Sequence, residues 1–213
     1  MVSSRVSTAP TQRSLKERQR QERAALILQA AEAVLAEKGY HDTSMDEIAS
    51  RVGIAKGTIY LHYASKDELV VDLFVRELAT FRDTVEQIAT EEVPARDRLA
   101  AILRHAYAGL ASQRQQLFAS LSATTNLPQS VFAKHAALRE YQGEITTRIR
   151  SILTAGQAGG EFNSSIPTGV MLTTFLGLLS PRSYAPLLDQ EHLTPDELAH
   201  AVGQIYFQGI THK

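Results

Sequence analysis

The sequence predicts an all-α protein built from a small N-terminal three-helix unit and a larger helical body. Three observations carry this. Apolar residues recur at helical spacing along almost the whole chain. No stretch alternates apolar and polar residues for long enough to make a sheet. The breaks between periodic segments fall at Gly, Pro and Ser clusters.

Each element has its own signal. From about Ser14, Leu26, Ile27, Ala30, Ala31, Val34 and Leu35 mark one apolar face, and Gly39 after Lys38 is a helix stop. Ser44 stands three residues before Glu47, a capping-box pattern opening a short helix with Ile48 and Val52 inside. Gly53 ends that helix, and a second short helix runs from Ala55 to about Tyr63 with Ile59 on its inner face. Ser65 and Glu68 repeat the capping pattern at the head of a long helix carrying Leu69, Leu73, Phe74, Leu78 and Phe81. Pro94 breaks the chain. Further helices are expected over 95–112, around Leu117, Phe118 and Leu121, over 129–155, from Thr168 behind Pro167, and from Thr194 to about Gly209. The stretch SPRSYAPLLDQEH reads as a connection.

Composition narrows the function. Apolar residues make up 44% and charged residues 21%, a globular balance, and cysteine is absent, which excludes disulfides, thiolate metal sites and Cys nucleophiles. No apolar run approaches the roughly 18 to 20 residues of a membrane helix, and the first residues lack the apolar core of a secretory signal. A cytoplasmic protein without membrane contact is expected. No metal site, cofactor fingerprint or catalytic spacing is present: there is no HxxxH, P-loop, dinucleotide or G-x-S-x-G pattern, so an enzyme is not expected. Net charge is −1, yet residues 1–23 hold six basic and two acidic groups, while residues 69–213 hold 12 and 14. Polyanion contact, if any, is therefore local and near the start.

Two short helices separated by Gly53 and Ile54 have the dimensions of a helix-turn-helix, spanning about residues 44–63. The exposed face of the second offers Lys56, Thr58, Tyr60 and His62, all hydrogen-bond donors, with no carboxylate among them. Gly57 keeps that surface low. Ser44 at a helix N-terminus and Lys66 add two further groups suited to phosphate. On spacing alone, an ordinary helical hairpin with a solvated face fits as well.

The stretch GYHDTSMDEIASRVGIAKGTIYLHYASKDEL closely resembles the DNA-binding domain of tetracycline-repressor (TetR) family regulators. Gly53, Lys56-Gly57-Thr58, Tyr60, His62, Ser65-Lys66 and Leu69 stand in the family's register, and the match covers about residues 20–82. Composition reads residues 1–19 as a flexible basic leader, longer than the family's usual start, and the resemblance implies a DNA-binding domain over 20–82 and an effector-binding and dimerisation domain over 83–213. It implies double-stranded operator DNA as partner, with phosphate contacts from Ser44, Tyr60, His62 and Lys66 and base reading around Lys56, Gly57 and Thr58. Ala55 stands where the family usually has Ser, which removes an N-cap. Arg18, Arg20 and Arg23 are candidate extra phosphate contacts.

The same resemblance implies a homodimer joined by a four-helix bundle, with Leu172, Phe175, Leu176, Leu179, Leu198, Val202, Ile205 and Tyr206 as interface residues. Gly169, Gly177 and Gly203 are expected to let helices approach closely. A small apolar or amphipathic effector is expected in the body, lined by Tyr107, Phe118, Leu121, Phe132, His135 and Tyr141, side chains that serve equally well as plain core packing. The expected function is a repressor released from its operator by that effector; the alternative is a helical architectural DNA-binding protein without small-molecule control.

Overall fold

The computed structural model describes residues 15–111, 114, 117, 118, 121, 135–179 and 184–211. These form α1 (Leu15–Asp42), α2 (Met45–Val52), α3 (Lys56–Tyr60), α4 (Lys66–Ala89), α5 (Ala95–Ala108) with a 3-10 turn at Gly109–Ala111, α6 (Ala136–Ala158), α7 (Thr168–Leu178), α8 (Ala185–Gln190) and α9 (Pro195–Ile210). No strand occurs among the described residues.

Local chemistry sets the element boundaries. Gly39 takes φ 76°, a conformation that costs glycine little, so the straight run of α1 ends there and Tyr40 to Asp42 form a turned-away last stretch. Gly53 sits in the left-handed region at φ 78°, and its N–H and that of Ile54 return to the carbonyls of Ala49 and Ser50, closing α2. Ser44 caps α2 by accepting the Glu47 N–H at 3.2 Å, but the Glu47 carboxylate goes to Lys38 instead of back to Ser44, so only half of the expected capping box forms. At α4, Ser65 accepts the Glu68 N–H at 3.2 Å, and the Glu68 carboxylate takes the N–H of Ala64 at 2.6 Å. The complete box is at α9, where Thr194 and Glu197 cap each other. The start of α5 has no local cap. Glu161 supplies one from far along the chain, accepting the N–H groups of Ala95 at 3.0 Å and Arg96 at 3.1 Å.

Two buried clusters organise these helices. The first joins α1, α2, α3 and the first half of α4 through Ile27, Val34, Leu35, Ile48, Ile59, Leu69 and Leu73. Leu117, Phe118, Leu121 and Leu138 also belong to it, with Phe118 edge-on to Phe74 at 5.0 Å. The second unites the rest of α4 with α5, α6, α7 and α9 around Leu99, Ile102, Tyr107, Ile149, Phe162 and Phe175. Gly156 is required there: a methyl group at its position would lie 2.4 Å from the ring of buried Phe162. Between the clusters, α4 runs along α6, with Arg82 paired to Glu144 at 2.9 Å and Arg148 paired to Glu86.

Two readings of the sequence change. Helix α8 falls in the stretch read as a connection; it is only six residues long and opens with Pro186 in its first turn. Of the three glycines expected at close approaches, Gly203 has Leu103 within 3.4 Å of a built Cβ, whereas Gly169 and Gly177 face open space in the single chain.

Candidate nucleic-acid interface

Helices α2 and α3 meet across the Gly53 turn, and Ile59 is the fully buried anchor that fixes how α3 lies on the unit. With Ile59 inward, Lys56, Gly57 and Tyr60 face solvent, and Thr58 and His62 sit half-buried at the flanks. Ala55 makes no side-chain cap, as its methyl dictates. Leu61 is 76% exposed at the end of α3 and extends the same ridge. Sequence reasoning passed over Leu61 because a leucine at helical spacing reads as core; an exposed leucine here is an apolar group of the sort that meets thymine methyls.

Gly57 has an informative environment. A methyl placed on it meets nothing within 4 Å, and its backbone lies within regular α-helix. Nothing inside the fold calls for glycine, which costs helix stability relative to alanine.

The scaffold holding this ridge is tied by ion pairs. Arg51 of α2 makes a two-pronged contact with Glu37 of α1 at 2.9 and 2.7 Å. This fixes the angle of α2 against α1, and it holds the Glu37 carboxyl below the usual carboxylate range. Lys56 donates to Asp46 at 2.7 Å, both side chains more than half exposed, which raises the ammonium's proton affinity. The Lys56 charge is thus engaged at home and free to exchange.

Lys66 is differently placed from a free phosphate donor. Its ammonium donates to the backbone carbonyls of Tyr40 and of Thr43, the latter at 2.8 Å, and lies 4.2 Å from the centre of the Tyr40 ring. The Tyr40 hydroxyl in turn donates to Asp67. Burial, then that carboxylate, push the Tyr40 phenol up to about 12, and burial lowers Lys66 against the opposing pull of Asp67 and Asp42. This cluster locks the end of α1 to the start of α4. Burial, then the charges of Arg20 and Arg23, hold the His62 imidazole below its ordinary value.

The candidate effector residues do not converge. Tyr107 is fully buried in the second cluster and donates to the Leu178 carbonyl at 3.1 Å. Phe118 and Leu121 lie in the first cluster. His135 occupies the N-cap of α6, with its Nδ1 buried and lacking a hydrogen bond among the described residues. Tyr141 stacks beneath Arg82 at 4.7 Å. Phe132 lies outside the described residues.

The candidate dimer residues split by exposure. Leu172, Phe175, Leu198, Val202 and Tyr206 are buried within the single chain, Leu176 and Leu179 are half-buried, and Ile205 is 77% exposed. Val170, absent from the sequence reading, is also exposed. Val170 and Ile205 flank an apolar groove of about 370 Å³ between α7 and α9, which Ile166, Thr174, Tyr184 and Ile210 complete.

Comparison with known proteins bears on this geometry. Residues 27–73, from the buried stripe of α1 into α4, match the family model described as bacterial regulatory proteins, tetR family. The chain is 24% identical over 187 residues to the fatty acid metabolism regulator protein of Bacillus subtilis strain 168, covering 88% of this chain and 95% of that protein. It is 38% identical over 82 residues to the transcriptional activator FasR of Mycolicibacterium smegmatis, 38% of this chain and 37% of that one. Its fold superposes on the transcriptional regulator FadR from Bacillus subtilis, solved in complex with stearoyl-CoA, with a TM-score of 0.70 at 23% identity, over 87% of this chain and 98% of that one.

Proposed function

The chain belongs to the tetR family of bacterial regulatory proteins, and on that premise we propose that it is a homodimeric repressor that grips operator DNA through α3 and releases it when a small apolar or amphipathic effector enters the body. Lys56, Gly57 and Thr58 face the base edges; Ser44, Tyr60 and His62 hold phosphates. The protein acts where its operator is, in the cytoplasm, and no catalytic step is assigned to it. One copy presents few cations on α3, so two copies joined at the groove between α7 and α9 read two half-sites about 34–36 Å apart, or a multiple of that. A second copy's Ile205 and Val170 cover the same residues on the first, since an isologous interface is self-complementary.

Gly57 carries the reading: a glycine that the fold does not need, on a helix with no carboxylate of its own, is explained by a groove wall that comes within a methyl's reach. The test is Gly57→Ala. Thermal stability stays equal or rises by up to about 1 kcal/mol, while operator binding in a mobility-shift titration falls at least tenfold. Unchanged binding removes α3 from the interface. For the effector, long-chain acyl thioesters are the first class to test, because a relative of the same fold was solved with stearoyl-CoA. Operator affinity measured with and without stearoyl-CoA decides this arm; equal affinities exclude that class.

A further inference from the structure

Helix α1 continues well beyond the unit it helps to form. Its inward face is set by Ile27, Ala31 and Val34, each fully buried, at i, i+4 and i+7. The same step taken toward the N-terminus gives Arg23, Arg20 and Lys16, all exposed. One stripe therefore changes from apolar to basic where the packed unit ends. It overhangs by about 16 Å, at 1.5 Å per residue from Ile27 to Lys16. Glu22 and Arg18 fall on other faces, while Glu17, three residues before Arg20, borders the stripe at one edge.

The stripe also has a definite neighbour. It keeps the direction in which α1 faces the helix-turn-helix, which brings Arg20 and Arg23 close enough to His62, just past the end of α3, for their charges to act on its imidazole. Arg20 and Arg23 thus lie within electrostatic reach of the end of the recognition ridge. Within the chain this arrangement is unfavourable. Lys16 and Arg20, four residues apart, repel, and Lys16 opposes the positive end of the helix dipole, offset in part by Glu17 in the same turn. An external anion running past α3 reverses both effects.

Resting on the reading of α3 as the recognition helix, we propose that Lys16, Arg20 and Arg23 form a second DNA-binding surface that holds the phosphate backbone of the same duplex beside each half-site. These contacts set affinity and orientation and carry no sequence preference.

The experiment uses the full chain with Lys16, Arg20 and Arg23 all changed to Gln, which keeps helix propensity. Binding to an operator duplex and to a scrambled duplex is measured across salt from about 50 to 200 mM. Each phosphate contact contributes about 0.9 to the log–log salt slope, so the variant loses about 2.7 per protomer on both duplexes, and the operator-to-scrambled ratio stays constant. Arg18→Gln leaves the slope unaltered. If the triple variant keeps the wild-type slope while wild type binds, the second surface is overturned and the α3 reading stands. If Gly57→Ala also leaves binding unchanged, the α3 reading fails separately.

Discussion

The two buried clusters differ in where their residues come from. The body cluster is filled by α5, α6, α7, α9 and the outer half of α4, all from residue 85 onward. The N-terminal cluster draws on residues 27–73 and then reaches far along the chain for Leu117, Phe118, Leu121 and Leu138. Arg114 follows the same route, placing its guanidinium 2.9 Å from Glu77 of α4 and 3.4 Å from Glu32 of α1. The unit that presents α3 is thus completed by side chains of the body, whereas among the described residues the buried body cluster takes none from α1, α2 or α3. A shift of Leu117, Phe118, Leu121 or Leu138 is felt in the same cluster that holds Ile59 of α3. A regulator needs a route of this kind: two sites biasing one packed element.

The largest effect expected from this asymmetry is at Phe118. Phe118→Ala removes a ring that is 95% buried and edge-on to Phe74, and should cost about 3–5 kcal/mol. Phe162→Ala in the body costs a similar amount, so total stability does not separate the two. Native-state hydrogen exchange does. Phe118→Ala accelerates amides of α1, α2 and the first half of α4; Phe162→Ala acts mainly on α5 and α6. Equal patterns from the two variants would dissolve the distinction between the clusters.

The same asymmetry explains what was legible in the sequence. The N-terminal unit announces itself locally: Gly39 and Gly53 mark ends, Ser44 and Ser65 mark starts, and Ile48 and Ile59 mark inner faces, each signal lying within four residues of what it controls. The body is held by partners that sequence spacing does not pair. Glu161 caps α5 from 65 residues away, and Gly156 makes room for a ring six residues on. Aromatic character alone could not assign Tyr107 and Phe118 to different clusters. Even in the N-terminal unit one role stayed hidden. Lys66 serves carbonyls 23 and 26 residues upstream, and a carbonyl leaves no trace in residue identity.

A smaller effect follows at Lys66, and it sharpens how the N-terminal unit is held. Lys66→Met leaves the carbonyls of Tyr40 and Thr43 without their donor and removes the cation over the Tyr40 ring. Charge-assisted bonds of this kind contribute about 1.5–3 kcal/mol, and partial exposure places the loss toward the lower figure. Denaturant unfolding should show that loss, with operator affinity falling but the salt slope intact. A slope reduced by about 0.9 with unchanged stability would return Lys66 to the phosphates.

The smallest effect is at the exposed edge of the ridge, where the pair between Lys56 and Asp46 is held by surface electrostatics alone. An exposed pair of this kind contributes little to folding, so Asp46→Asn should leave the unfolding midpoint nearly unchanged, with part of any small shift coming from the lost charge in the first turn of α2. Its effect on binding has the opposite sign. In the native chain Lys56 must leave Asp46 before it meets a base or a phosphate, and the carboxylate remains nearby to repel the duplex. Removing that carboxylate should tighten operator binding about two- to fivefold, equivalent to about 0.4–1 kcal/mol, and scrambled duplex binding by more, so that specificity falls. The home pairing of Lys56 is then a brake on non-specific binding rather than a support for the fold. Weaker binding by Asp46→Asn to both duplexes would show instead that the pair positions Lys56 for DNA.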